Sequence, residues 1–80
     1  MMEKLTPSAH MSTAELECGW IAVKASEAIE RIKIGQVLEI ACESKEKEED
    51  VELWLEMTGH ELLDKKAKGG RVYYYVKRTK

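Results

Sequence analysis

Residues 36–63 read QVLEIACESKEKEEDVELWLEMTGHELL, and two periods follow one another in this stretch. From Gln36 to Glu43 the period is two. Leu38, Ile40 and Cys42 fall on one face, and Val37, Glu39, Ala41 and Glu43 on the other, which predicts a strand with its uncharged face covered. Ser44 then offers a hydroxyl to an orphan helix N–H. From Lys45 to Thr58 the period is helical, with Val51, Trp54, Leu55 and Thr58 at i, i+3, i+4 and i+7. Glu46, Glu48, Glu49 and Asp50 crowd the first half of this helix, where its dipole favours negative charge. Gly59 ends it, and a new strand starts at His60. Trp54 and Cys42 read as core residues.

Upstream, residues 20–33 (WIAVKASEAIERIK) predict a second helix. Ile21, Ala25, Ala28, Ile29 and Ile32 form its apolar stripe, the i,i+4 pair Glu27–Arg31 lies off the stripe, and Gly35 stops it. Residues 11–17 (MSTAELE) form a short, weak strand, with Met11, Thr13 and Leu16 as its better residues. Residues 1–10 hold the chain's one proline and no period, and read as a flexible leader. Downstream, residues 60–66 and 71–78 are strands joined by Lys68-Gly69-Gly70-Arg71, a hairpin signal. Val72, Tyr74 and Val76 share one face of the last strand, and Tyr73, Tyr75 and Lys77 the other.

The order is thus βαβαββ. Crossovers between parallel strands are right-handed, so both helices land on the same side of the sheet. We expect an α/β (α+β) two-layer sandwich: a mixed four-stranded sheet, both helices on one face, and the face bearing Tyr73 and Tyr75 open. Residues 11–80 form a single domain.

The chain has 80 residues, 13 of them basic and 15 acidic. So short a chain has little room for a deep active site. No apolar run approaches the ~20 residues of a membrane span, and residues 1–11 lack the apolar core of a signal peptide, so we expect a cytoplasmic protein. There is no CxxC, HExxH or Gly-rich phosphate loop, and His10 and His60 have no ligand pattern around them. We expect no metal and no cofactor. Residues 45–58 carry two positive and six negative groups, and residues 59–80 seven positive and two negative. The two cysteines, without an export signal, read as free thiols. Cys18 lies just before the first predicted helix, where unpaired N–H groups and the dipole stabilise a thiolate. Such a thiolate attacks a persulfide or disulfide sulfur. Gly19 leaves the neighbouring backbone uncovered, and Trp20 is placed to shield the thiol. The competing reading is a buried structural cysteine.

The segment from Cys18 to Tyr74 resembles the TusA/SirA-like sulfur-carrier family. That family reads C-P-x-P, an aliphatic-rich helix, a Gly, a strand, D-I-x-x-W and T-G-H-E-L-L. This chain has Cys18-Gly19-Trp20-Ile21, Val23-Lys24-Ala25, Gly35, Asp50-Val51, Trp54 and Thr58-Gly59-His60-Glu61-Leu62-Leu63. The resemblance implies a sheet order of 1-2-4-3 and a sulfur relay through Cys18, with Gly19, Trp20 and Ile21 forming the helix N-terminus that supports it. It implies a protein sulfur donor resembling a cysteine desulfurase, a protein acceptor, as in tRNA thiolation, and sulfurtransferase activity. We expect a monomer. Both motif prolines are replaced, by Gly19 and Ile21, and Glu15 stands where the family has Gly. In a second register Leu16-Glu17-Cys18 matches the L-D-C of some members, the C-P-x-P segment is deleted, and Cys18 ends a strand. The alternative function is a degenerate member acting as a regulatory or RNA- or protein-binding module without sulfur transfer. Its weak RNA contact would use Lys65, Lys66, Lys68, Arg71, the tail cations, Tyr73 and Tyr75.

Overall fold

In a computed structural model, which describes residues 7–14 and 16–80 and leaves out the Cys18 side chain, the order is β1 (Ala9–Ser12), α1 (Cys18–Glu30), β2 (Val37–Cys42), α2 (Lys45–Thr58), β3 (Glu61–Lys68) and β4 (Arg71–Lys77). The sheet runs β1-β2-β4-β3. β1 is parallel to β2, and β4 is antiparallel to both its neighbours. The βαβαββ sandwich, the mixed sheet and the strand order are therefore as expected. Residues 1–6 of the expected leader, and Glu15, lie outside the described residues. No helix among the described residues is long and apolar enough to cross a membrane.

The core follows from one register. Leu38 pairs with Val76, Ile40 with Tyr74 and Cys42 with Val72, so all six point to the helices. Ile21, Ala25, Ile29 and Ile32 of the α1 segment and Val51, Trp54 and Leu55 of α2 close over them. Both helices thus lie on one sheet face. The Trp54 indole N–H donates to Ser26 Oγ at 2.9 Å, tying α2 to α1.

Element ends show where local chemistry outweighs period. β1 occupies Ala9–Ser12 rather than 11–17. Met11 pairs with Ile40, but Ser12 Oγ then accepts from the Ala14 N–H at 3.2 Å and turns the chain. Short hydroxyl side chains compete with the ladder in this way. α1 begins at Cys18 rather than Trp20 and ends at Glu30 rather than Lys33. At its C-terminal end the Arg31 and Ile32 N–H groups reach back three residues, to Ala28 and Ile29. This tightened turn carries Ile32 into the core. β3 extends to Lys68 and is irregular between Leu62 and Asp64. Gly69 and Gly70 both have positive φ, 61° and 82°, which a two-residue hairpin of this hand requires.

The Thr58-Gly59-His60 block is structural. Thr58 Oγ1 donates to Trp54 O, and Gly59 closes α2 with φ 80° and an N–H bond to Leu55 O. His60 packs on Trp54, with ring centroids 5.7 Å apart, and its Nδ1 accepts from the Thr79 N–H at 3.2 Å. Burial first, then Arg78 and Lys80, hold its pKa below the usual value. The folded state thus favours neutral His60. Its stabilising contribution is complete above the unfolded-state pKa of about 6.5 and is lost as pH falls through the lower folded-state pKa. Urea unfolding at stepped pH should show stability falling between neutrality and mild acid, with a shallower fall in His60→Asn.

Tyr74 is buried, and its hydroxyl donates to Glu52 Oε2 at 2.7 Å. Lys65 reaches the same oxygen at 3.2 Å and lies 5.3 Å from the Tyr74 ring centroid. Removing the hydroxyl leaves Glu52 with Lys65 and solvent. Tyr74→Phe should cost about 1–2 kcal/mol in urea unfolding.

Candidate functional site

Cys18 is the first residue of α1, after a loop that leaves the sheet at Ser12. This placement matches the register without a gap; in the other register Cys18 would end a strand. The loop is tied down. The buried Thr13 donates from both its N–H (3.0 Å) and its Oγ1 (2.9 Å) to Ala41 O. Thr13 O in turn accepts from the Leu16 N–H at 3.1 Å. Leu16 packs against the core. These bonds lead the chain from the central sheet to the start of α1.

Glu17 holds the N-cap position of α1; among the described residues no side chain caps this end, and no acidic residue follows in the first turn. The Trp20 N–H turns back to Glu17 O at 2.9 Å, and the positive end of the helix dipole lies at Cys18, beside the Glu17 side chain. The contrast with α2 is plain: Ser44 Oγ caps that helix, and Glu46 and Glu48 sit in its first turn.

Sequence reasoning missed Lys47. Its ammonium donates to Thr13 O at 2.7 Å and to Ala14 O at 3.2 Å, strapping the loop before Cys18 to α2. The signal was present: a lysine among acidic residues near a helix N-terminus opposes the dipole and needs another partner.

The expected supporting residues divide. A Cβ on Gly19 would meet nothing within 4 Å, so the backbone beside Cys18 faces open space. Trp20 is 56% exposed. Ile21 is fully buried and belongs to the core, not the surface. Cys42 is fully buried and free. Burial pushes its thiol up to about 11, so it stays protonated at neutral pH and is a poor nucleophile.

Two open-face networks also escaped the sequence. Glu39 accepts from the Tyr75 hydroxyl at 2.8 Å and lies 2.7 Å from His10 Nδ1. Arg71 pairs with Glu43 at 3.1 Å. Periodicity put Glu39 and Glu43 on one face of their strand and Tyr75 on one face of the last, but His10 fell in the expected leader and Arg71 in the hairpin connection, and no period could show which side chains would meet.

Two known proteins are similar in sequence to this chain. YrkF of Bacillus subtilis (strain 168), whose name proposes a sulfur-carrier role, is 33% identical over 63 residues. That match covers 79% of this chain and 34% of YrkF, so the chain spans about a third of that relative's length. The sulfur carrier protein TusA of Allochromatium vinosum is 23% identical over 69 residues, covering 86% of this chain and 91% of the relative. Residues 14–78, from the loop before Cys18 to the end of the sheet, match the family described as Sulfurtransferase TusA, and the chain is a member of that family.

Proposed function

We propose that the chain is a sulfur carrier that takes up persulfide sulfur on Cys18 and hands it on. The observation that carries this reading is the contrast between the two cysteines. Cys18 opens α1 at an N-terminus that no side chain among the described residues caps, whereas Cys42 is sealed in the core. Membership of the TusA family and the names of the two relatives support it.

In the proposed step the Cys18 thiolate attacks the outer sulfur of a donor cysteine persulfide. A new S–S bond forms at Cys18, the donor S–S bond breaks, and the donor cysteine leaves as a thiolate. No net oxidation occurs, so no redox cofactor is needed. An acceptor thiolate repeats the exchange at Cys18. The helix N-terminus stabilises the Cys18 thiolate, and Lys47 holds the loop that presents it. The donor is a protein resembling a cysteine desulfurase and the acceptor is a second protein, in the cytoplasm. The sheet and its two helices act as one monomeric domain, which takes in Ala9 and His10 of β1 as well as the expected residues 11–80; Gly19 and Trp20 follow Cys18 in α1.

A second reading rests on Gly19 and Ile21. Proline in the first helical turn preorganises the backbone; Gly19 gives up that rigidity, and Ile21 serves the core instead. In this reading the chain is a regulatory or interaction module without transfer. Incubation with a cysteine desulfurase and cysteine, followed by intact-mass measurement, separates the two. Sulfur carriage predicts a gain of one sulfur atom, ~32 Da, on the wild type and none on Cys18→Ala. No gain on the wild type, or equal gain on Cys18→Ala, supports the module.

Lys47→Met should cost about 1–2 kcal/mol in urea unfolding, from the lost charge-assisted bonds. It should also slow sulfur loading a few-fold, read as the rate of the mass gain at fixed desulfurase. An unchanged rate would show that the strap does not present Cys18.

A further inference from the structure

The sheet face away from the helices carries an open cleft of about 630 Å³, lined by Glu39, Lys66, Lys68, Arg71, Tyr73 and Tyr75 among others. Tyr73 and Tyr75 are two residues apart on β4. Their rings are therefore offset by about 7 Å along the strand, a spacing that suits successive bases of a splayed single strand. Tyr75 is pinned in advance by its bond to Glu39 and has the Lys66 ammonium 5.7 Å from its ring centroid.

Charge at the cleft favours an anion. Three cations line it with one carboxylate, Glu39, which already faces Tyr75 and His10, while Asp64 and Glu43 stand at its border. Lys68 has no ion-pair partner among the described residues. Lys66 reaches Asp64 only at 4.0 Å, and Arg71 pairs with Glu43 at 3.1 Å. Lys68 and Arg71 are cross-strand partners at the hairpin. They gather positive charge at one end of the tyrosine platform, where Gly69 and Gly70 add no side chains.

Asp64 pairs with Tyr75 across the strands. It borders the platform and offers a carboxylate that a ribose 2′-hydroxyl can donate to and that deoxyribose cannot use. The register also fixes which end this is. β1 leaves the sheet at Ser12, opposite Ala41, and Cys42 pairs with Val72 close to the hairpin. The cationic end of the cleft is thus the end of the sheet from which the chain enters α1 and α2, on the opposite face.

We propose that this cleft binds single-stranded RNA, with bases stacked on Tyr73 and Tyr75 and phosphates held by Lys66, Lys68 and Arg71. The site needs neither Cys18 nor sulfur transfer. The formal net charge of −2 keeps the affinity modest.

The test is fluorescence anisotropy of a short labelled oligouridine titrated with the full chain at low salt. We expect a Kd on the order of 10 µM, and a log–log salt slope of roughly −2 for three phosphate contacts. Tyr73→Leu and Lys68→Ala should each weaken binding about tenfold, whereas Lys33→Ala should not. Oligodeoxyuridine should bind several-fold more weakly, and free uridine monophosphate should not displace the oligomer at equal concentration. Circular dichroism checks that Tyr73→Leu is folded; Lys68→Ala, on the exposed hairpin, decides if it is not. No binding at low salt, binding insensitive to salt, or full binding by Lys68→Ala overturns the proposal. So does equal binding of the deoxy oligomer, or displacement by the mononucleotide, which would mark a small-ligand site.

Discussion

The pairing of β2 with β4 is the contact on which the rest of the molecule depends. It joins the middle of the chain to its end and sets Leu38, Ile40 and Cys42 beside Val76, Tyr74 and Val72. Side chains alternate with period two, so a slip of one residue would turn one strand's apolar set away from the helices. The helices have a surface to cover only because these two sets face the same way. With both helices on that side, none is left for the other face. A chain of this size can bury one layer boundary well, and the open face follows from that limit.

The same ladder organises both candidate surfaces. On the helix side, the Ala41 carbonyl anchors Thr13, and Thr13 leads the chain to Cys18. On the open side, the pairs Ala41–Tyr73 and Glu39–Tyr75 lay out the tyrosine platform. The two surfaces lie on opposite layers, so a protein can grip one while the other stays accessible. The polar contacts at the two places differ in kind. Lys47 and Thr13 hold backbone carbonyls and stiffen a loop. Glu39, His10 and Tyr75 hold one another and fix where a ring lies.

Most of the fold was legible because its elements carry clear periods. α2 was readable to the residue, since Ser44 and Gly59 are strong end signals and both act as such. β1 was misplaced by two residues at its start and five at its end. Its four residues offer little alternation to count, and Ser12 turns the chain through a bond that no period encodes. α1 was shifted because no side chain caps it and its final turn tightens to bury Ile32. Of the site, Cys18 and Gly19 could be singled out from composition and position. Lys47 was marked only by its unfavourable place near a helix N-terminus; its partners, backbone carbonyls 33 and 34 residues away, were not legible.

The sequence by itself determined the order of elements, the faces of the strands and helices, and the division of roles between Cys42 and Cys18 as a core residue and a helix-start residue. Those properties depend on neighbours within a few positions, which periodicity and end signals record. Only the tertiary structure decided that Lys47 ties down the loop before Cys18, that His60 and Thr79 close the C-terminal end, and that Glu39 joins His10 to Tyr75. Each joins parts of the chain that meet only after the sheet has brought them together.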